Sequence, residues 1–210
     1  MFITFEGCEG CGKSTQMRKL GETLSAKGYS IVQTREPGGT PIGEEIRKIL
    51  LSGKNQEITP WTELLLYIAD RTQHVHQVIR PALKENKIVL CDRFQDSTQI
   101  YQGVARGLDS KILKTLFEIA TGGLKPDLTL LLDCPVELGL SRSRARLKKH
   151  NSTEDRFEKE DIHFHEKVRK GFLDLAKKEP HRIKIFDTTQ DQEVVHGLIF
   201  KEVEKKIQKL

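Results

Sequence analysis

Five short apolar runs punctuate the chain, at 2–5, 30–34, 87–92, 128–133 and 182–187. Their length and β-branched or aromatic content predict strands. The run at 128–133 is apolar at almost every position, as a strand buried on both faces requires. Between the runs, apolar residues recur every three to four positions, the helical period. Met17, Leu20 and Leu24 form one such stripe, and Ile42, Ile46, Ile49 and Leu50 a second. Leu64, Leu65, Ile68, Thr72, Val75 and Ile79 form a third, and Ile112, Leu113, Leu116, Phe117 and Ala120 a fourth. Phe164, Val168, Phe172 and Leu175, and then Val195, Leu198, Ile199, Val203 and Ile207, mark two more. Strands alternating with helices predict an α/β fold, with a parallel sheet covered on both sides.

The punctuation is specific. Thr59 suits an N-cap, Pro60 the first helical position, and Glu63 a capping-box carboxylate. Gly53 with Lys54, Asn55 and Gln56 predicts a polar loop, and Gly122-Gly123 a helix stop. Residues 96–101 predict another helix start, and Gly103 and Gly107 a flexible segment after it. His163, His165 and His181 lack metal-ligand spacing and read as surface residues.

The length of 210 residues suits a single domain, 1–210. No apolar run approaches membrane-spanning length, and the first residues lack the charged start and apolar core of a signal peptide. A cytoplasmic protein without membrane partner is expected. Cys8 and Cys11 form a C-x-x-C without a second pair; they read as small packed side chains, reduced as in the cytosol. The net charge of +5 fits either nucleic acid or a small polyanion.

The chemistry centres on Gly7, Cys8, Glu9, Gly10, Cys11, Gly12, Lys13 and Ser14, followed by Thr15. This string fits G-x-x-x-x-G-K-[ST] and lies between a strand run and a helical stripe. The glycines let backbone N–H groups converge on phosphate at a helix N-terminus. Lys13 adds a full charge, and Ser14 offers a hydroxyl to Mg2+. Asp92, at the end of an apolar run, is the second metal-holding residue, and Arg93 beside it lies where phosphates gather. ATP and Mg2+ are therefore the expected donor and cofactor. The basic series Arg142, Arg144 and Arg146, within 141–158, reads as a mobile lid over triphosphate. It carries no aromatic residue from Arg142 to His150, which argues against an ATPase that stacks on nucleic acid.

Together the motifs resemble those of bacterial thymidylate kinase along the whole chain. They comprise the loop from Gly7, Thr34-Arg35-Glu36-Pro37-Gly38-Gly39-Thr40, Asp70-Arg71, Asp92-Arg93, Tyr101-Gln102-Gly103, the arginine series and Asp187-Thr188-Thr189-Gln190. The resemblance implies a P-loop NTPase fold with a five-stranded parallel sheet, a homodimer, and transfer of the ATP γ-phosphoryl group to dTMP in dTTP synthesis. By the same resemblance Tyr67, where the family usually has Phe, stacks on thymine. Arg71 donates to a thymine carbonyl, Thr98 and Gln102 complete the base edge, and Tyr101 packs against the sugar. Arg93 with Arg35 holds the dTMP phosphate, Glu9 faces the sugar 3′-hydroxyl, and Phe94 only packs. Arg71 and Gln102 suit thymine better than the base of another nucleotide. Relatives outside bacteria often carry Arg where this chain has Gly10. Catalytic charge is therefore expected from Arg142, Arg144 and Arg146 together with Lys13, and Gly10→Arg is expected to rescue a lid variant in part.

Overall fold

The computed structural model describes residues 1–52 and 58–208, so the loop expected at Gly53 to Gln56 lies outside the described residues. Five parallel strands form one sheet: β1 (Phe2–Glu6), β2 (Ile31–Arg35), β3 (Ile88–Asp92), β4 (Leu128–Asp133) and β5 (Ile183–Asp187). Their order is β2-β3-β1-β4-β5. β1 lies at the centre, with Ile3 beside Leu90 on one side and Leu128 on the other. The chain leaves β1 towards one edge and later returns to the other, so a crevice opens at the carboxyl end of β1, the ligand position in such sheets.

Helix α1 (Lys13–Ala26) and helix α9 (Gln192–Ile207) pack against each other and the sheet. Leu20, Leu24, Val195, Ile199 and Val203 meet Ile3, Phe5, Leu90 and Leu130 there, all buried. On the other face Val168, Phe172 and Leu175 of α8 (Ile162–Lys178) pack on Leu131 and Ile183. The sequence periodicity is thus realised as two covered faces.

Helices α2 (Pro41–Leu51) and α3 (Pro60–His74) pack together, and α3 also meets α6 (Ser110–Thr121). Only part of the expected apolar face of α2 enters the core: Leu50 is buried, but Ile42 is 55% and Ile49 46% exposed. Thr59 caps α3 by accepting the Thr62 N–H, while Glu63, four positions past the cap, turns into the interior instead of closing a capping box. After α3 the helix winds as a π-turn through Val75–Ile79 into α4 (Arg80–Lys84). Likewise α5 (Gln95–Thr98) passes into a π-helix, Gln99–Ala105, where a flexible segment was expected. Gly103 lies inside it because Leu113 stands only 3.1 Å from where a Cβ would project. Gly122 does stop α6, in the left-handed conformation at φ 52°. Helix α7 (Val136–Lys149) carries the basic series and is followed by a short turn of 3-10 helix, Phe157–Lys159.

Candidate active site

The loop after β1 and the N-terminus of α1 stand at the crevice. Gly12 caps α1 at φ 91°, so the helix N–H groups of Lys13 onward open at the loop. Gly10 has φ 67°, and a Cβ there would lie 1.9 Å from the Gly139 carbonyl oxygen. Only glycine lets the loop and α7 approach so closely. Lys13 Nζ folds back onto the loop carbonyls of Gly7 (3.1 Å) and Cys8 (2.7 Å) and lies 3.5 Å from Cys11 Sγ. Cys8 and Cys11 are buried, as expected for packed thiols. Ser14 Oγ donates to Asp92 Oδ2 at 2.8 Å. Two hard oxygen donors thus converge beside the lysine, a donor set that fits Mg2+ with water and phosphate completing the shell.

Arg93 follows Asp92 with φ 68°, a strained conformation for a residue with a side chain. Its guanidinium donates to the Gly7 carbonyl, Ser97 Oγ and Glu9 Oε1, each at 3.0 Å, and stacks on Tyr101 at 5.1 Å. Glu9 also accepts from the Tyr101 hydroxyl at 2.6 Å, and His165 Nδ1 stands 3.3 Å from its second oxygen. Burial pushes the Glu9 carboxyl up, but the approach of His165, the charges of Arg93 and Lys13, and the Tyr101 hydroxyl outweigh it. They hold Glu9 well below the usual carboxylate range.

Of these, Glu9, Lys13, Ser14, Asp92, Arg93 and Tyr101 line a cleft of about 350 Å3 that also takes in Arg35, Tyr67, Gln102 and Arg146. Arg35 is paired with both oxygens of Glu44 at 3.0 and 2.9 Å. Gln102 Nε2 donates to Glu63 Oε1 at 2.6 Å. Arg71 and Thr98 do not line the cleft; each is about 1% exposed. Arg71 lies directly behind its wall, with Nε donating to Glu36 Oε2 at 2.7 Å and the guanidinium over Phe94 at 5.2 Å. Its Nη1 is buried without a partner among the described residues. Glu36 also meets His74 Nδ1 at 2.9 Å, and His74 Nε2 meets Thr34 Oγ1 at 2.6 Å, so the Arg35-Glu36-Pro37 loop is held from beneath.

A second cavity of about 240 Å3 lies beyond the loop, lined by Thr15, Arg142, Arg146, Thr188 and Gln190. Arg142 and Arg146 are four residues apart and share a face of α7. Arg144 falls on another: it lines neither cavity and donates to the Glu158 carbonyl at 3.2 Å. Arg146 lines both cavities, and its Nη2 donates to Ser143 Oγ at 3.1 Å.

Three participants were hidden in the sequence. His165 is not a surface residue: it is 1% exposed, and its Nε2 meets the Phe157 carbonyl at 3.0 Å. Its spacing from Val168 and Phe172 already places it on the buried face of α8. Glu63 lies four residues before Tyr67, hence on its face, and Glu36 sits in a loop quoted only as a motif.

A sequence profile described as thymidylate kinase matches residues 5–199. The chain is 54% identical over 187 residues to the thymidylate kinase of Geobacter sulfurreducens, covering 89% of this chain and 88% of that one. It is 50% identical over 210 residues to that of Citrifermentans bemidjiense, covering 100% and 93%. A crystal structure of thymidylate kinase from Ehrlichia chaffeensis superposes with a TM-score of 0.77 at 37% identity, over 97% of this chain and 98% of that one.

Proposed function

The chain belongs to the thymidylate kinase family, and on that premise we propose how its cleft transfers the γ-phosphoryl group of ATP to dTMP, giving dTDP and ADP. One observation carries the reading: the two cavities share Gly10, Gly12 and Arg146. A donor nucleotide in the smaller cavity and an acceptor in the larger one meet across the phosphate loop.

The acceptor base enters beside Tyr67 and Gln102, with Arg71 Nη1 as a buried donor awaiting an acceptor, and Thr98 packs behind them. Tyr101 and Glu9 face the sugar, and Arg93 with Arg35 receives the dTMP phosphate. Arg93 is preorganised for this by Glu9, Ser97 and the Gly7 carbonyl. An acceptor phosphate oxygen already carries charge, so no general base is required. The protein's work is to hold two phosphates in line and neutralise the charge that spreads between them. Lys13 and Arg146 supply that charge at the loop, and Arg142 lies towards the donor base. Ser14 and Asp92 would hold Mg2+, which when bound neutralises charge on the β- and γ-phosphate oxygens. Segment 141–158 acts as a lid that excludes water, so that ATP is not hydrolysed.

We place the enzyme in the cytoplasm, where its four free cysteines stay reduced; its product lies one phosphoryl transfer short of dTTP. We also propose a homodimer through α2, α3 and α6, which leave Ile49, Trp61, Leu65, Ile112 and Ile119 exposed. Ile119→Glu should then elute as a monomer where the parent elutes as a dimer; equal elution contradicts that interface. Chromatography of ATP and dTMP incubated with the enzyme, with and without Mg2+, tests the reaction itself. Equal amounts of dTDP and ADP are expected with Mg2+, and ADP without dTDP would refute the transfer.

A further inference from the structure

Glu63 is fully buried, yet three side chains from two segments converge on it: Gln102 and Arg106 from the π-helix Gln99–Ala105 and its C-cap, and Arg156. Gln102 Nε2 donates to Oε1 at 2.6 Å. Arg106 reaches both oxygens at 3.4 Å, and Arg156 Nη2 closes on Oε2. The two arginines are themselves fixed. Arg106 pairs with Glu160 at 2.5 Å and stacks on Phe164 at 4.6 Å. Arg156 donates to the Leu50 carbonyl at 2.6 Å and stacks on Phe157 at 4.7 Å. Glu63 is therefore an immobile acceptor, and it shares a helix face with Tyr67.

A carboxylate accepts and does not donate. The Gln102 atom facing it must be the NH2 group, and the amide oxygen is left for the cleft that Gln102 lines. Among the described residues no group donates to that oxygen. A flipped amide would set two oxygens against each other at 2.6 Å in a buried site, without a donor between them. Thymine presents an N3–H donor on the edge between its carbonyls, whereas cytosine presents a bare N3 acceptor there. Uracil matches thymine at this edge.

We propose that Glu63 is a specificity-determining positioning residue: it locks the Gln102 amide with its oxygen towards the acceptor base, so that the cleft demands a donor at N3 and rejects cytosine. The inference rests on the reading of the cleft as the dTMP site. Arg156 belongs to the segment that returns from the basic helix, so the same carboxylate ties base selection to the docking of that segment.

The test compares KM for dTMP with the inhibition constants of dCMP and dUMP in the parent, Glu63→Gln and Glu63→Asp. Glutamine can donate as well as accept and so permits the flip. Aspartate keeps the charge for Arg106 and Arg156 but withdraws from Gln102, and it carries the test if Glu63→Gln does not fold. The dCMP-to-dTMP ratio is expected to fall by about 10- to 100-fold, while the dUMP-to-dTMP ratio stays within about twofold, since N3 is the same in both. In a Gln102→Ala background, Glu63→Gln should change neither ratio further. If Glu63 is only structural, kcat or thermal stability falls and the dCMP ratio stays put, which overturns the proposal. A parent enzyme that ignores dTMP would instead overturn the reading of the cleft.

Discussion

Arg146→Ala separates a catalytic arginine from a merely basic surface. Three arginines stand at alternate positions in one helix, and their surroundings differ. Arg146 lines both cavities and is steadied by Ser143 Oγ, which itself donates to Glu158 Oε1 at 2.6 Å. Arg142 lines the nucleotide cavity alone and donates to the Thr188 carbonyl at 3.1 Å. Arg144 lines neither. An arginine that meets transition-state charge in phosphoryl transfer is worth about 10³ or more in kcat. Even a partial share of about a hundredfold corresponds to ~2.7 kcal/mol of barrier. Coupled ADP release with saturating dTMP should therefore show Arg146→Ala losing about a hundredfold or more in kcat. Arg142→Ala should mainly raise KM for ATP, and Arg144→Ala should stay within about threefold in both, as a surface charge does. If Arg146→Ala keeps kcat, or Arg144→Ala falls with it, the basic helix serves binding alone and the mechanism is wrong. The structure also removes one expectation: an arginine at Gly10 cannot rescue the variant. Its Cβ would lie 1.9 Å from the Gly139 oxygen at φ 67°, so the added charge comes with a distorted loop.

Lys13→Ala should stay folded, because the fold rests on the apolar strands, while kcat falls below a tenth of the parent value; a variant above about a tenth would misplace the phosphate loop. Asp70 gives a pH test. Burial first, and the Glu36 charge second, push its carboxyl from the ordinary 3.8 up to about 7. The folded state then holds the proton more tightly than the unfolded chain, so stability is lost as pH rises from about 4 to 7, by up to ~4 kcal/mol. Asp70→Asn keeps an acceptor for the Gly38 N–H, 2.9 Å away in the parent, and should flatten that decline in urea titrations; parallel curves for the two proteins would contradict it.

Much of this was legible in the chain because strong local patterns coincided with tertiary needs. The strand runs fell within a residue of the observed strands, and the string from Gly7 to Ser14 runs from the end of β1 into the first turn of α1 as its chemistry demands. Side-chain direction was less legible. Arg142, Arg144 and Arg146 share a charge but not a helix face, and only the placement of α7 against Gly10 decides which meet the loop. Arg71 was readable as a residue near Tyr67, but not its burial behind the wall, which depends on Glu36 from another segment. His165 was hidden by a polar identity at a core position: its helical spacing marks a buried face, but its partner Glu9 lies far away in sequence, so nothing local shows what satisfies the imidazole. The π-helix at Gln99–Ala105 left no trace beyond Gly103, whose small size reads equally as flexibility or close packing.

The central claim is that the larger cleft is built for the thymine edge of a monophosphate. ADP release measured across dTMP, dCMP, dGMP and AMP tests it most directly. With Gln102 held by Glu63 and Arg71 Nη1 unpartnered behind Tyr67, kcat/KM for dTMP should exceed the others by about 10⁴, the discrimination expected where wrong substrates leave buried polar groups unpaired. Comparable turnover of AMP would contradict the account.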